Sequence, residues 1–346
     1  MAYALNKIRN VRVCFSGKFT LSLEEDYADM TPGPGQLVIE NMYTLISPGT
    51  ELALYTGTHI GFSDPANTFA RFPFYPGYAA VGRVVALGEG VRTFHEGDLV
   101  YHEGHHQRYD TVTLADKLVL PLPNDIDTKH VPFARLAQIS NTALQVSHIS
   151  AGDVVAVFGL GLIGNMAAQL AEARNAMAVG ADLIGFRREL ASRCGIGYVC
   201  NGADDEMHAA IDEITAGRGV STAIEATGDP QLIASALEVT AELGDVILLG
   251  SPRGTVEIDP YKHIHRRGVS LKGAHVMLMP GRPDGTGRLD RMSNARLMLQ
   301  AIASGQLEVN ALISHVITPQ QLENGYRALL DEKDSTMAVI VDWQQT

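Results

Sequence analysis

One hexapeptide has the residue types and spacing needed to bind phosphate groups. It reads Gly159-Leu160-Gly161-Leu162-Ile163-Gly164. An apolar run at 153–158 predicts a strand before it, and a helical pattern begins near Leu162. In such a unit the first glycine permits a tight turn, the second lets the backbone approach a pyrophosphate, and the third lets helix pack on strand. We therefore predict a dinucleotide site that uses every residue of the motif except Leu160, with phosphate at the helix N-terminus.

A carboxylate at the end of the next predicted strand fits the same site. Asp182 ends the run AMAVGAD, 18 residues after Gly164, near the spacing of about 20 expected of an acid that bonds the adenosine ribose hydroxyls. Its charge repels a 2′-phosphate, which predicts NAD(H) rather than NADP(H). A strand ending instead at Phe186 would place Arg187 and Arg188 at the ribose and favour the phosphorylated cofactor.

The composition excludes several functional classes. The chain has 346 residues, 46% of them apolar, and a formal net charge of −12. This acidic balance argues against nucleic-acid binding, which needs excess lysine and arginine. No window approaches the roughly 18 apolar residues of a membrane span, and no secretory signal is visible. Three cysteines without a C-x-x-C pair give neither a disulfide framework nor a four-thiolate zinc site. We expect a cytoplasmic protein without membrane or nucleic-acid partners.

Two hydrophobic patterns divide the chain. From residue 11 to about 120, short β-rich runs bounded by glycine and proline predict a partly open β-barrel or sandwich. From about residue 131, apolar runs alternate with helical stretches, which is typical of a doubly wound parallel sheet with helices on both faces. The last stretch gives helices and a closing strand, which we assign to the first domain. The predicted fold class is therefore α/β.

Several motifs occur in an order that resembles one family. They are Pro-Gly-Pro-Gly at 32–35, Ser47-Pro48-Gly49-Thr50-Glu51, Pro76-Gly77-Tyr78, Gly-Asp-Leu-Val at 97–100 and Ile-Glu-Ala-Thr-Gly at 224–228. In this order they resemble the medium-chain dehydrogenase/reductase superfamily, which includes zinc alcohol dehydrogenases and quinone oxidoreductases. The resemblance implies a GroES-like, partly open barrel domain from residues 1–135 and 277–346. It also implies a Rossmann domain at 136–276, with the active site in the cleft between the two.

The resemblance extends the expected cofactor site beyond the glycine motif and Asp182. Strand ends later in the chain would hold the nicotinamide carboxamide through backbone groups, and a basic residue would cover the adenosine ribose. The additional residues implied are Arg187, Ala226, Thr227, Leu249, Gly250, Ser251, Ala274 and Val276.

The zinc ligands of the family are replaced in this sequence. Zinc members have cysteine where Pro48 stands and histidine where Tyr78 stands. Their third ligand falls near Ala134 or Arg135. Proline has no side-chain donor, tyrosine rarely binds zinc, and arginine repels it. The lobe that holds a structural zinc is also missing, because no cysteine lies between residues 14 and 194. The sequence therefore predicts a zinc-free member with no metal ligands.

Hydride chemistry without a metal needs another way to stabilise the developing alkoxide, namely a hydrogen-bond donor or general acid. Thr50 is one candidate, because the family motif places its hydroxyl at the substrate oxygen; the alternative is a turn residue that bonds its own backbone. Tyr78 is another, provided that a cation lowers its pKa. Arg135 is the candidate cation, and a surface ion pair is its alternative role.

A histidine cluster follows the Gly-Asp-Leu-Val strand. His102, His105 and His106 lie in a segment that borders the cleft in the family. Histidine suits proton transfer near neutral pH, and we take His102 as the candidate. A shared metal is disfavoured because adjacent residues point to opposite sides of an extended chain. The alternative is that all three are solvated loop histidines.

The sequence thus predicts an NAD(H)-dependent, zinc-independent dehydrogenase acting on a secondary alcohol or its ketone, such as a polyol or cyclitol. The Ser-x-Gly-Thr-Glu pattern also resembles bacteriochlorophyllide hydroxyethyl dehydrogenases, which leaves a bulkier substrate open. One alternative is an NAD(P)H-dependent enone or quinone reductase. Another is a nucleotide-binding protein without catalysis. We expect a small-molecule substrate and a homodimer or homotetramer.

Overall fold

A computed structural model describes residues 6–202 and 204–345, which divide into two units. The first unit holds the described residues up to Arg135 together with those from Ile313 onward. The second unit is Leu136–Leu312. The sequence predicts a return to the first domain at residue 277, whereas residues 277–312 pack with the second unit.

The secondary structure follows the two hydrophobic patterns: the first part of the chain is rich in strands, and in the second part strands alternate with helices. The strands are β1 (Lys7–Gly17), β2 (Thr20–Asp29), β3 (Gln36–Leu45), β4 (Ala80–Leu87), β5 (Leu99–His102), β6 (Tyr109–Thr113), β7 (Val119–Pro121), β8 (Val154–Phe158), β9 (Met177–Asp182), β10 (Tyr198–Asn201), β11 (Val220–Glu225), β12 (Thr240–Leu248), β13 (Ser270–Gly273), β14 (Ile313–Ile317) and β15 (Ala338–Asp342). The α-helices are α1 (Pro48–Tyr55), α2 (Phe133–Val146), α3 (Leu162–Glu172), α4 (Gly185–Arg193), α5 (Asp204–Thr215), α6 (Leu232–Val239), α7 (Arg291–Ala303) and α8 (Leu322–Asp331). Short 3₁₀ turns span Ile60–Ser63, Thr128–His130, Val276–Leu278, Asn310–Leu312, Pro319–Gln321 and Trp343–Gln345, and a π turn spans Tyr261–His265.

The first unit is built on a mainly antiparallel sheet. Its strand order is β14-β15-β3-β4-β5-β7, with β6 also paired to β3 and a separate β1-β2 hairpin. Strand β3 is buried on both faces: Leu37 and Ile39 pack in one apolar cluster, Val38 packs in another, and all three are fully buried. The returning C-terminal segment closes a second core, in which the Tyr326 ring lies 5.2 Å from Phe15 and 5.3 Å from Tyr55, measured between centroids. Burial of such aromatic clusters stabilises the unit.

The second unit is a parallel sheet of six strands in the order β10-β9-β8-β11-β12-β13. The chain order reverses between β8 and β11, as in doubly wound nucleotide-binding folds. Strand β8 is apolar throughout, and Val155, Ala156 and Val157 are fully buried, which requires layers on both faces of the sheet. The α/β class with a Rossmann-type sheet is confirmed.

Helix α7 shows why residues 277–312 belong to the second unit. The Asn294 amide on α7 donates to the carbonyl of Gln138 at 3.2 Å and accepts from Asn141 at 2.8 Å. Further along, the backbone N–H of Glu308 donates to the Gln169 side chain at 2.7 Å. These buried polar groups need each other as partners. The bonds join residues more than 130 positions apart, so local sequence pattern carries no sign of them.

In the part of the chain that the structure describes, no helix combines the length and the apolar character that crossing a bilayer requires.

Candidate functional site

The glycine motif forms the turn from β8 into α3. Gly159 has φ +90°, and a Cβ there would lie 2.5 Å from a methyl carbon of Thr227. A Cβ on Gly164 would lie 1.8 Å from the carbonyl oxygen of Gly159. Only glycine therefore fits at these two positions. A Cβ on Gly161 would meet no atom closer than 3.9 Å, so this glycine leaves open space beside the backbone, as close approach of a ligand requires.

The start of α3 offers amide groups to an anion. Gly161 is the N-cap and has no side chain to cap the helix. The next three N–H groups, those of Leu162, Ile163 and Gly164, belong to the first helical turn, whose amides lack intrahelical acceptors. Together with the positive end of the helix dipole they suit a phosphate group.

Asp182 is the last residue of β9 and lies next to this turn. Its Oδ2 accepts a hydrogen bond from Leu160 N–H at 2.8 Å, and its Oδ1 accepts from Ile184 N–H at 2.9 Å. The residue is only 7% exposed. Because a carboxylate offers about four lone-pair sites, acceptor capacity remains for hydroxyl donors. Since β9 ends at Asp182 and Phe186 lies in α4, the alternative strand register is wrong.

Two arginines on α4 contact Asp182 or the residue after it. Arg187 Nη1 lies 3.5 Å from Asp182 Oδ2. Arg188 Nη1 donates instead to the carbonyls of Asp182 and Leu183, at 2.8 and 2.9 Å. Arg187 thus lies beside the carboxylate that is predicted to bind the ribose, whereas Arg188 holds the loop between β9 and α4 through backbone carbonyls.

A buried glutamate anchors the turn after β11. Glu225 is fully buried, and its Oε1 accepts from the N–H and hydroxyl of Thr227 and from Gly228 N–H at 2.8 Å. Its Oε2 has no hydrogen-bond partner within the described residues. Burial raises the pKa of Glu225, and the bonds from Thr227 and Gly228 lower it in part. The anchored turn contains Ala226 and Thr227, which pack against Gly164 and Gly159.

The remaining predicted cofactor residues follow the last two parallel strands. Leu249 and Gly250 donate backbone N–H groups to the Glu225 carbonyl at 2.9 and 2.7 Å, and Ser251 comes next. Ala274 N–H donates to the Leu248 carbonyl at 2.9 Å. Val276 begins the following 3₁₀ turn.

The predicted cofactor residues therefore lie at one edge of one sheet. They follow the carboxyl ends of β8, β9, β11, β12 and β13. This is the edge where doubly wound folds bind ligands, and the order reversal between β8 and β11 lies at its centre.

A second group of polar side chains lies in the first unit, and we call Ser47, Thr50 and Tyr78 the hydroxyl cluster. The Tyr78 phenol donates a hydrogen bond to the Ser47 hydroxyl. The Arg135 guanidinium carbon lies 5.4 Å from the centre of the Tyr78 ring, and Arg135 Nε lies 3.4 Å from Glu103 Oε1. Thr50 is also a hydrogen-bonding neighbour of the Tyr78 phenol, so the three predicted residues Thr50, Tyr78 and Arg135 lie together.

The surroundings of Tyr78 act on its acidity in both directions. Burial raises the pKa of Tyr78, and the negative charge of Glu51 raises it further. Hydrogen bonds to Ser47 and Thr50, together with the Arg135 charge, lower the pKa in part. The net direction is upward, so the phenol holds its proton near neutral pH.

A buried network holds the segment that carries the hydroxyl cluster. Glu51 Oε1 accepts from Ser47 N–H at 3.0 Å, while Oε2 accepts from Tyr326 at 2.5 Å and lies 3.0 Å from His106 Nε2. His106 Nδ1 lies 2.7 Å from the Thr44 hydroxyl. Glu51 and His106 are at most 1% exposed. His106 is therefore a core residue rather than a solvated loop histidine.

His102 is also a core residue. Its Nε2 lies 2.7 Å from Asn41 Oδ1, and Asn41 donates its own amide to the Gln107 carbonyl. This orientation makes His102 Nε2 the donor. His102 is fully buried, and that burial lowers its pKa to about 4. The ring is therefore neutral at physiological pH, and its predicted role in proton transfer stays a prediction.

The donor set at the family's zinc positions does not fit a zinc ion. Within residues 6–202 and 204–345, no three His, Cys, Asp or Glu side chains form a group that could hold a metal. The side chains of Pro48, Tyr78, Ala134 and Arg135 supply no thiolate, imidazole or carboxylate, the ligand types that zinc requires.

Sequence reasoning missed Ser47, Glu51, Tyr326 and Glu225. A signal existed for Ser47, because serine before proline is typical of a helix start. Glu51 belongs to the Ser-Pro-Gly-Thr-Glu motif, but the motif alone gives its side chain no role. No local signal links Tyr326 to Glu51, 275 residues away.

Two family matches cover much of the chain. Residues 33–117 match the alcohol dehydrogenase GroES-like domain, and residues 163–293 match the family described as zinc-binding dehydrogenase.

Individual proteins are similar to this chain in sequence or in fold. The L-threonine 3-dehydrogenase of Caldanaerobacter subterraneus subsp. tengcongensis is 29% identical over 269 residues, which cover 70% of this chain and 76% of that protein. The crystal structure of 2R,3R-butanediol dehydrogenase from Bacillus subtilis superposes with a TM-score of 0.81 at 22% identity, covering 96% and 99% of the two chains. An Escherichia coli alcohol dehydrogenase complexed with NADH gives a TM-score of 0.81 at 16% identity, with coverage of 96% and 99%.

Proposed function

The chain belongs to the medium-chain dehydrogenase/reductase superfamily, and from this premise we propose that it is a zinc-independent, NAD(H)-dependent dehydrogenase for a secondary alcohol or its ketone. Membership makes it an oxidoreductase that uses a nicotinamide cofactor. The proposal adds three points: the form of the cofactor, the replacement of the metal and the class of substrate.

Bound NAD(H) supplies or accepts the hydride. The protein's part is to hold the dinucleotide, and the five strand ends of the second unit provide the groups for it. The amides at the start of α3 suit the pyrophosphate. Asp182 suits the adenosine ribose hydroxyls, and its charge disfavours a 2′-phosphate, which supports NAD(H) over NADP(H). Arg187 lies 3.5 Å from that carboxylate and partly offsets its charge.

One observation carries the proposal that no zinc takes part. Of the positions expected to carry zinc ligands, Tyr78 and the third position, near Ala134 or Arg135, here bring a phenol and a guanidinium, and the Tyr78 ring centre lies 5.4 Å from Arg135 Cζ. Tyr78 then serves as proton donor and Thr50 as a hydrogen-bond donor to the substrate oxygen. Arg135 over the ring favours the phenolate that forms when the proton leaves.

The protonation state of Tyr78 sets the pH dependence. Its pKa lies above the usual value because of burial, so at neutral pH the phenol is ready to give a proton to a ketone oxygen as the alcohol forms. Alcohol oxidation needs the phenolate as base, and its rate should rise as the pH increases.

The test measures cofactor-dependent turnover against secondary alcohols, ketones and enones, with metal analysis of the same enzyme. The panel includes polyols, cyclitols, 2,3-butanediol and L-threonine, the last two being the secondary alcohols named in the relatives above. We expect turnover with NAD(H), undiminished by a zinc chelator. Tyr78→Phe should lower kcat about 100-fold or more, the usual contribution of a general acid, and Thr50→Val should lower it less.

Tyr75→Phe is the matched control. Tyr75 also has an arginine over its ring, with Arg12 Cζ at 4.3 Å, and its phenol also forms a hydrogen bond, here to Glu24 at 3.2 Å. It should retain wild-type turnover. Stoichiometric zinc, or full activity in Tyr78→Phe, would refute the metal replacement. Turnover of enones alone, or tight NADH binding without turnover, would favour the reductase or the non-catalytic alternative.

A further inference from the structure

Ser47 occupies a position where a serine hydroxyl normally has a different task. It is the N-cap of α1, directly before Pro48, and an N-cap hydroxyl usually accepts a hydrogen bond from an amide in the first turn. Ser47 makes no such bond. Its hydroxyl is paired with the phenol of Tyr78, 31 residues away. Ser47 thus departs from the usual hydrogen bonding of an N-cap residue, which is expected where a side chain serves a function.

Another residue takes over part of the capping. Glu51, one turn into α1, accepts from the backbone N–H of Ser47 at 3.0 Å. Tyr326 and His106 hold the other oxygen of the same carboxylate. The helix start is therefore fixed without the serine hydroxyl, which stays available to Tyr78.

We propose that Ser47 is a positioning residue for proton transfer, which orients the Tyr78 phenol and becomes a hydrogen-bond donor to its oxygen when the proton leaves. This inference rests on the proposed function of Tyr78. In ketone reduction the O–H bond of Tyr78 breaks and a new O–H bond forms on the substrate oxygen, as the hydride adds to the carbonyl carbon. For this transfer the Tyr78 O–H turns from Ser47 toward the substrate oxygen, and the Ser47 hydroxyl rotates from acceptor to donor, which hydroxyl geometry permits. Alcohol oxidation runs through the same states in reverse.

The charged and titratable groups around Tyr78 make such a donor useful. Glu51 opposes the phenolate from α1, and the fully buried Tyr326 on α8 shares that carboxylate. Arg135 favours the phenolate, although Glu103 lies 3.4 Å from Arg135 and offsets part of its charge. A neutral hydroxyl donor stabilises the phenolate without adding a charge to this set.

The experiment compares Ser47→Ala with Ser47→Thr, which keeps a hydroxyl. The alkaline titration of Tyr78 is followed by carbon-13 NMR of labelled tyrosine Cζ, with the resonance assigned by its loss in Tyr78→Phe. Loss of the donor should raise the midpoint of the Tyr78 titration by about 1 pH unit. The rising limb of the pH profile of kcat for alcohol oxidation should also move to higher pH, and kcat should fall about tenfold. KM for NAD should not change. Ser47→Thr should restore both properties.

Two further variants keep the test decisive. Ser47→Gly also lacks the hydroxyl, and glycine is well tolerated at N-cap positions, so it replaces Ser47→Ala should that variant fold poorly. Ser304→Ala removes the hydroxyl of the C-cap serine that follows α7, which donates to the Ala301 carbonyl at 3.2 Å. It should match the wild type.

A wild-type titration midpoint and pH profile in Ser47→Ala or Ser47→Gly would overturn the inference. Failure of the proposed function has a different signature. If Tyr78→Phe kept full activity, Tyr78 would not be the proton donor, although the NMR midpoint would still report whether Ser47 acts on its phenol.

Discussion

The backbone N–H of Leu160 donates a 2.8 Å hydrogen bond to Oδ2 of Asp182. This bond joins the glycine turn after β8 to the carboxylate that ends β9. The residue predicted to select the cofactor is therefore oriented by the same loop that is predicted to bind its phosphates.

Replacement of Asp182 should change cofactor preference. Asp182→Asn keeps an acceptor for Leu160 but removes the charge, so discrimination against NADP(H) should fall about 10- to 100-fold in kcat/KM, with KM for NAD raised. Steady-state kinetics with both cofactors measures this. Asp153→Asn alters a carboxylate directly before β8 that also accepts a backbone N–H, from Ser150 at 2.8 Å, and should change neither value. Unaltered preference in Asp182→Asn would show that another residue contacts the ribose.

Two glycine substitutions should differ in their effect on stability. Gly161 has φ −62° and ψ 179° and no atom within 3.9 Å of a new Cβ. Gly161→Ala should therefore keep the wild-type melting temperature but weaken NADH binding at least tenfold, because the methyl group occupies the phosphate approach.

Gly164→Ala should instead destabilise the fold. Its Cβ would lie 1.8 Å from the Gly159 carbonyl oxygen, and such overpacking costs about 1–3 kcal/mol. Thermal unfolding and NADH titration separate the two cases. Gly281→Ala, with nothing within 4 Å, is the control. A stable Gly161→Ala enzyme with normal NADH affinity would contradict the phosphate assignment.

Glu225 should support cofactor binding through the turn that it anchors. Glu225→Ala removes the shared acceptor of Thr227 and Gly228, so NADH affinity and the free energy of unfolding should both fall, the latter by about 2–4 kcal/mol. Glu225→Gln keeps an acceptor oxygen and should lose less of both. Asp259→Ala, which removes an exposed carboxylate that accepts two backbone N–H groups near 3.0 Å, should leave NADH affinity intact. Equal losses in all three variants would argue against a specific role.

His102 should make stability depend on pH. Its pKa is about 4 in the folded protein because of burial, against 6.5 for an ordinary histidine. Asp110 partly opposes this lowering, while Lys117 and His105 add to it. Because the unfolded chain binds the proton more readily, this contribution to stability is present above pH 6.5 and is lost as the pH falls toward 4, by up to about 3 kcal/mol.

Urea unfolding at several pH values tests this prediction. His102→Gln keeps a donor for Asn41 and should flatten the slope of unfolding free energy between pH 6.5 and 4. The exposed His95, whose side chain is 84% accessible, is the control, and His95→Gln should keep the wild-type slope. An unchanged slope in His102→Gln would show that other groups cause the acid sensitivity.

Local sequence determined the predicted dinucleotide site of the second unit. The glycine motif, the strand before it and Asp182 lie within 30 residues. Their chemistry follows from conformational rules that act between neighbours: the tight turn, the strand period and the amides of a helix start. The five strand ends then share one sheet edge, because parallel strands with right-handed crossovers bring their carboxyl ends together.

The hydroxyl cluster and its support were decided by tertiary structure. Sequence alone identified Tyr78, Thr50 and Arg135 as candidates, but not the bond from Tyr78 to Ser47 or the attachment of Tyr326 to Glu51. Local sequence likewise did not indicate that residues 277–312 belong to the second unit. Such contacts join residues far apart in the chain, and they form because buried polar groups must find partners once the core closes. Periodicity and spacing carry no information about which distant partner is met.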